Sequence, residues 1–440
     1  MLDRLPIPPT IRVPMKAGAS LRWTARAVRA LSALIALIAV SLVSGCSTNN
    51  PAAPVIPLPP LSAVVVTPPT DTVQVGTNAQ FNAAALDTLG ALVGNASFSW
   101  STTSPAVATV NQTGRVTGVS EGVALIIAEA GGKRDTAIVS VYTQAGWYVQ
   151  TSNTSSNLNG VFFQPDGRTG WAVGDGGRIV KTSNAGNTWA IQTSNTSFNL
   201  ESVWFTSATE GWVVGNNATV LHTLNGGTSW TMVFPGASEN LQDVTFATRD
   251  TGWAVGSNGV VLGTFDRGAN WTRLHPTAST LHSVAFSGTR DGWAVGDAGV
   301  IVGTHDRGLT WFVVQPSLTA QSLHGVWRRS STLAWAVGGL GVTPRTTVTP
   351  DSTAWELHNA GSTLTLEDLN YPTDAIGYVV GFNSGGSGTV LRTDDGGLTW
   401  EAQNANAQFH LNGVFFTDPL HGWAVGNSGA IIHTARGGLP

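Results

Sequence analysis

Residues 147–440 predict a seven-bladed β-propeller, and residues 62–142 predict a small β-sandwich ahead of it, so the fold class is all-β. Three observations carry this. A pentapeptide of the form Gly-Trp-Ala-Val-Gly recurs seven times, at Gly170–Gly174, Gly211–Gly215, Gly252–Gly256, Gly292–Gly296, Ala334–Gly338, Gly377–Gly381 and Gly422–Gly426. A second Trp recurs at 147, 189, 230, 271, 311, 355 and 400, with spacings of 42, 41, 41, 40, 44 and 45 residues. A tandem period of about 40–50 residues with several short strands is the signature of a propeller. Ahead of it, residues 62–142 alternate apolar and polar in short strands between turn residues.

The first 45 residues read as a secretion signal, with Met15, followed by Lys16, as an alternative start. Arg22, Arg26 and Arg29 form a basic region, and Ala30 to Val43 an apolar one. That run of about 14 residues is short for a membrane span. It ends in Val43-Ser44-Gly45-Cys46, which resembles a bacterial lipobox and makes Cys46 the expected lipid attachment site. Cys46 is the single cysteine of the chain, so the folded part holds no disulfide. The expected location is that of an exported bacterial lipoprotein, anchored to the membrane through its lipid. Ser47 rather than Asp after the cysteine favours the outer membrane or cell surface. Residues 46–61 are Pro-rich and read as an extended tether.

In the sandwich the expected strands are Ala63–Val66, Gln80–Ala85, Ser97–Ser101, Val123–Ala128 and Ala137–Val141. The run from Trp100 to Val110, then Gly114–Val119 and Gly122–Ile126, resembles the bacterial immunoglobulin-like group 2 domain. That resemblance implies an immunoglobulin-like β-sandwich used as a spacer or adhesive module. Only Thr143–Gly146 separate it from the propeller, so a semi-rigid junction is expected.

Each propeller repeat supplies four strands, A to D. Strand A reads Leu-x-x-Val or Leu-x-x-Leu, as in Leu158/Val161 and Leu366/Leu369; strand B is the pentapeptide; strand C ends in Thr; a Trp opens strand D. The first Trp, 147, has no A, B or C strand before it, and the last repeat, Leu411 to Thr434, has no D. The Trp147 strand is therefore expected to complete the last blade and close the ring. The C–D turn, as in Thr264–Trp271, Thr304–Trp311 and Thr393–Trp400, resembles the Asp-box of bacterial neuraminidase repeats, with Asn184 and Asn225 replacing Asp in two blades. Its physical role is a turn: Asp or Asn bonds nearby backbone, Gly takes a positive φ, and Trp anchors the hairpin. The whole repeat, over roughly residues 147–438, is similar to the photosystem II assembly and stability factor family. This implies a non-catalytic scaffold for a protein or membrane complex.

Charge excludes one class of partner. Residues 1–45 hold six of the 22 Lys and Arg and one of the 26 Asp and Glu, so the remainder carries 16 against 25, a net charge of −9. An acidic, sparsely charged chain argues against nucleic acid. The propeller lacks the Tyr/Glu nucleophile pair and arginine cluster of a sialidase; Tyr378 stands where other blades have Trp and reads as packing. Glu201, Asp243, Glu367 and Asp368 sit beside the A strands, where they line an axial channel either as solvated residues or as a carboxylate pair of a glycosidase. No catalytic residue, metal site or cofactor is assigned. A carbohydrate-binding or sialidase-like glycan-cleaving propeller is the alternative reading.

Two candidate surfaces follow. The D–A and B–C loops present Asp175, Asn217, Asn258, Asp297, Asn383 and Asn427, with Asn153, Asn195, His275 and His358, a polar set suited to a neutral partner, a polypeptide or a glycan. These are also ordinary turn residues. The position before the Thr of strand C reads Lys181, His222, Gly263, Gly303, Arg345, Arg392 and His433, either paired locally or forming a basic band for an acidic segment. Blades five and six depart most from the repeat. Blade five has Ala334 for Gly, a turn holding Pro350 and Asp351, and Arg328, Arg329 and Arg345; blade six has an insert from Asn383 to Gly388. They are expected to carry partner-specific contacts.

Overall fold

The computed structural model describes residues 61–439 apart from 315–316, 331, 347–353 and 362. The signal, Cys46, all but the last residue of the tether, and the Pro350/Asp351 turn lie outside the described residues.

The N-terminal module is the expected sandwich. Lys133–Tyr142 is flanked by Gly122–Ala130 and, in parallel, by Thr70–Gln74. Ser99–Thr102 adds to Gly122–Ala130. The expected strand Gln80–Ala85 is divided. Asn78–Gln80 pairs with Arg115–Gly118, and Asn82–Asp87 pairs with Leu61–Thr67. The break falls at Phe81, which is fully buried beside Trp100, Ile126 and Val139. Its N–H leaves the ladders to donate to the Gly114 carbonyl.

Seven four-stranded antiparallel sheets follow. Blade one is typical: strand A is Leu158–Phe163, B is Gly170–Gly174, C is Arg178–Thr182 and D is Ala190–Gln192. The last sheet takes its outer strand from the beginning of the propeller. Tyr148–Gln150 pairs antiparallel with the C strand Ile431–Thr434, with Tyr148 opposite His433. The ring therefore closes as the repeat pattern predicts.

One stacking contact repeats between blades. The Trp of strand B lies flat on the aromatic ring that ends strand A of the next blade. The centroids are 3.6 Å apart for Trp171–Phe205 and Trp423–Phe163, 3.4 Å for Trp253–Phe286 and 3.8 Å for Trp335–Tyr371. Tyr378 takes the Trp position on Phe416 at 3.7 Å, as its packing role requires. Glycine makes room for this. Each such ring crosses the first Gly of its own strand B, where an added Cβ would fall within 2.5 Å of the ring at Gly170, Gly211 and Gly252. In blade five Arg328 replaces the aromatic residue, its guanidinium lies 5.9 Å from the Trp293 ring, and the residue opposite is Ala334. The Ala-for-Gly exchange is thus coupled to the Arg-for-Phe exchange. With no ring over it, the position accepts a methyl group.

The turns lock onto the same Trp. In blade three Thr264 Oγ1 donates to Asp266 at 3.0 Å and accepts the Gly268 N–H, while Asp266 accepts the Asn270 N–H. The positive φ begins one residue before the Gly, at Ala185, Arg267 and Arg307. That twist aims a carbonyl at the preceding blade. Trp171 donates to Gly226, Trp253 to Arg307, Trp335 to Gly396 and Trp423 to Ala185.

A buried network joins sandwich to propeller. Glu121 Oε2 accepts the hydroxyls of Thr143 (2.8 Å) and Tyr148 (2.7 Å), and Oε1 lies 3.1 Å from Nε2 of fully buried His433. The Gln150 amide Nε2 lies 3.3 Å from His433 Nδ1. The Tyr148 hydroxyl lies 2.8 Å from His433 Nδ1 as well, while His433 Nε2 and Glu121 Oε1 face each other without a well-aligned hydrogen bond. Burial raises the Glu121 pKa and lowers that of His433 well below the usual histidine value.

The stacking contact makes a test. Gly252→Ala drives a methyl group into Phe246 and is expected to cost about 1–3 kcal/mol in urea unfolding. Ala334→Gly should cost less than about 1 kcal/mol. Arg328→Phe should be tolerated better together with Ala334→Gly than alone, as a positive coupling in a double-mutant cycle. Additivity of that pair would remove the steric account.

Candidate functional site

The registers place the candidate residues at opposite ends of the ring. Leu158 pairs with Gly174 and Phe163 with Gly170, so the D–A and B–C loops lie at one end and the A–B loops and C–D turns at the other. Asp175, Asn217, Asn258, Asp297, Asn383 and Asn427 all sit at the first end. Arg328, Arg329 and Arg345 belong to the second. The structure does not bring the two sets together.

At the first end the six residues do three different things. Asp175, Asp297 and Asn427 turn inward. Asp175 accepts the amides of Asn157 (2.9 Å) and Asn159 (3.2 Å), Asp297 lies 2.8 Å from His282 Nε2, and Asn427 accepts from Asn412 at 3.0 Å. Asn217 and Asn258 stand one position later and take the positive φ of the turn. Asn383 folds back on its own loop, accepting the N–H groups of Gly385 and Ser387. Asn153 and Asn195 also have positive φ, and His275 bonds the Asn258 carbonyl. His358 lies 3.7 Å from Glu356.

The inward-turned residues support a polar ring around the axis. It consists of the residue after the leading Leu of each strand A: Asn159, Glu201, Gln242, His282, His324, Glu367 and Asn412. Three of these tie one blade to the next through the next leading Leu or its equivalent. Asn159 donates to Leu200 O at 3.0 Å, Asn412 to Leu158 O at 2.9 Å, and His324 Nδ1 lies 3.0 Å from Leu366 O. Glu201 and Glu367 occupy the same position, where an ionised carboxylate has no proton to donate. Burial, helped by the charge of Asp175, pushes Glu201 up to about 7. Burial disfavours the charged form of His324, but its pairing with Glu367 at 3.1 Å, together with the Leu366 carbonyl and the charge of Asp297, raises its pKa overall.

Beneath the ring, a β-bulge after the leading Leu turns a backbone N–H out of the ladder. Side chains receive it. Asp243 accepts the Val244 and Val284 N–H groups and the hydroxyls of Ser202 and Ser283, at 2.7–2.9 Å. Ser283 accepts the Val326 N–H, and Asp368 accepts those of Leu369 and Val414. Burial raises the Asp243 pKa and pushes Asp368 up to about 7. All four carboxylates expected beside the A strands therefore line the axial cavity, and the two aspartates clamp adjacent blades.

The cavity has a volume of about 270 Å³. Its far end carries Phe162, Trp204, Trp327, Asn370 and Phe415. Phe162 lies 4.9 Å from Phe415 and 5.5 Å from Trp204, ring to ring, forming an aromatic floor. Sequence reasoning missed this floor and the Asn and His members of the ring. The ring's signal was present as one aligned column of the repeat that is polar in every blade.

At the other end the basic positions of strand C are engaged locally. Lys181 lies over Trp171 and bonds Gly226 O, Arg345 bonds Gly396 O, Arg392 bonds Gly437 O, and His222 and His433 stack on Trp212 and Trp423. Each covers the outer face of a strand-B ring or a neighbouring turn. Arg329 pairs with Asp374 at 3.1 Å.

Comparison with known proteins places this geometry. The family model described as photosynthesis system II assembly factor YCF48 matches residues 139–237, 233–321 and 347–439, more than half of the chain. The chain belongs to this family. Residues 60–141 match the bacterial Ig-like domain, group 2, as the sandwich strands require. Two solved YCF48 structures share the fold. One, described as YCF48 bound to D1 peptide, is 23% identical with a TM-score of 0.55, covering 67% of this chain and 96% of that one. The other, YCF48 from Cyanidioschyzon merolae, is 21% identical with a TM-score of 0.56, covering 66% and 99%. The RRP9 WD40 repeats superpose equally well, with a TM-score of 0.57 at 9% identity over 67% and 99% of the two chains. No curated protein matches the chain. In this YCF48-family propeller, likeness to the solved structures speaks for architecture; the axial residues belong to this chain.

The Glu201 environment sets a pH dependence. A carboxyl whose pKa is raised on folding adds stability below its unfolded value near 4.5 and loses it as pH rises through about 7. Glu201→Gln should therefore stabilise the protein at pH 8, by on the order of 1–2 kcal/mol after allowance for partial exposure. The gain should vanish by pH 4. Calorimetric melting of both proteins across this range checks it, and a pH-independent difference would refute the assignment.

Proposed function

We propose that this chain is a lipid-anchored envelope protein whose propeller holds a polypeptide partner as a non-catalytic assembly scaffold. The observation that carries the reading is the YCF48 family match along the propeller. One solved family structure is described as bound to D1 peptide, so a propeller of this kind accepts a polypeptide. The carboxylates support binding over catalysis. Asp243 is saturated by four donors and Asp368 holds two backbone N–H groups, which are blade clamps. The immunoglobulin-like module and Pro-rich segment then act as spacers between anchor and propeller.

Anchoring is tested at Cys46. Cys46→Ala should release the protein from membranes or block its maturation, with loss of labelling by a fatty-acid analogue. Equal labelling of both proteins would sink the anchor. Crosslinking and pull-down from the native host should return a protein partner. Turnover of fluorogenic sialosides or β-glucans, abolished by a single carboxylate substitution, would replace the scaffold with a glycan-cleaving enzyme.

A further inference from the structure

We propose that the axial cavity is a socket for a lysine side chain presented by the partner polypeptide. The inference rests on the protein-binding reading and names what the propeller recognises. Three independent features converge on a cation.

The first is the wall. Glu201 and Glu367 stand at the rim, and Asp368 below them holds only two backbone N–H groups. An ionised carboxylate has about four lone-pair sites, so Asp368 can accept more. The second is the floor. Trp204 and Trp327 offer aromatic surface to an ammonium group, which is attracted to the face of such rings. Beside them Asn370 is only 2% exposed, and its Oδ1 has no hydrogen-bond donor. A buried acceptor left unsatisfied costs about 1–3 kcal/mol. A ligand that donates at this depth recovers it, and an ammonium group carries three donors.

The third is the sidedness of charge. The blade registers put nearly all propeller arginines at the Asp-box end. Among the described propeller residues, Arg178 and Arg273 are the arginines at the socket end, Arg273 is ion-paired with Glu239, and the rim histidines His282 and His324 are already paired with Asp297 and Glu367. Arg328 borders the cavity but lies against the Trp293 ring. The rim is lined by Glu201 and Glu367 and, among the described residues, by no lysine or arginine, so a basic segment is drawn to it. The occupant must also be slender. A lysine places a compact charge at the end of an apolar stem, and the stem covers the apolar wall while the head reaches the carboxylates.

The full-length chain in detergent is titrated with the peptide acetyl-Gly-Gly-Lys-Gly-Gly-amide, with Trp fluorescence and NMR shifts as readouts. Controls carry Nε-acetyl-lysine, alanine or arginine in place of lysine, and n-butylammonium serves as the free amine. Saturable binding of the lysine peptide, with loss on acetylation, is expected. Glu201→Gln/Glu367→Gln should weaken it roughly ten-fold or more. This variant should fold, because Gln242 already fills the same position in blade three. A second variant, Asn370→Leu, should also weaken binding. Equal binding of lysine and acetyl-lysine peptides, equal binding of the arginine peptide, no binding at millimolar concentration, or no competition by n-butylammonium would each overturn the socket. Pull-down with the double Glu variant separates the two readings. A partner retained as well as by wild type leaves the scaffold standing and removes the socket from its interface. If wild type captures no partner, the protein-binding reading fails, and the peptide titration still decides whether the cavity takes lysine.

Discussion

Everything else in the propeller depends on a flat contact between the strand-B Trp of one blade and the strand-A aromatic of the next. Stacked aromatic pairs are worth about 0.5–1.5 kcal/mol beyond the area they bury. Their greater effect here is geometric. The ring can lie flat only because the residue it crosses is Gly, and the indole N–H then faces the carbonyl that the Asp-box twist exposes. One contact thus requires three sequence features spread over two blades: a Trp, a Phe–Gly pair and a turn with positive φ. Blade five shows the dependence from the other side. Once Arg328 replaces the aromatic, the reason for Gly disappears, and Ala334 stands in its place.

This contact explains which parts of the structure were legible. Strands, ring closure and the packing role of Tyr378 follow from residues that recur with the period. Trp147 could be assigned to the last blade because that repeat lacks a D strand of its own, and in the structure its ring meets Phe416 at 5.8 Å. The site was legible only in part. Four carboxylates could be placed beside the channel, but the bulge in strand A breaks simple alternation, so the depth and partners of Asp243 and Asp368 could not be read from spacing. Asn217 and Asn258 were grouped with Asp175 although they stand one turn position later. The basic residues of strand C could not be assigned because their partners lie 45–51 residues away on the next blade. The Glu121–Tyr148–His433 network joins residues up to 312 positions apart (433 − 121), and no local pattern announces it.

The same geometry separates the two ends of the ring. At the Asp-box end, long cations cover Trp rings and bond turn carbonyls, so most of their charge serves the blade interfaces. At the other end the turns are short and the side chains converge on the axis. There the seven equivalent positions are free of the stacking requirement, and the blades differ. A column that is polar in every blade yet drawn from four residue types can give a seven-fold scaffold an asymmetric surface.

The two glutamates of that column carry the argument furthest. Asn159 and Asn412 show what the position does for the fold: an amide donates to the carbonyl of the next blade. Gln242 keeps a side chain of the same kind. Glu201 and Glu367 give up that donation when ionised, and Glu201 is buried enough to titrate at about 7. Asp368 below them lies in the same range. Measured against the fold alone, these carboxylates are worse choices than the amides that neighbouring blades already use. Perturbed ionisable groups gathered in a concave site are where function is sought. With buried Asn370 lacking a donor at the same axis, the fold has kept both negative charge and an unsatisfied acceptor where packing asked for neither.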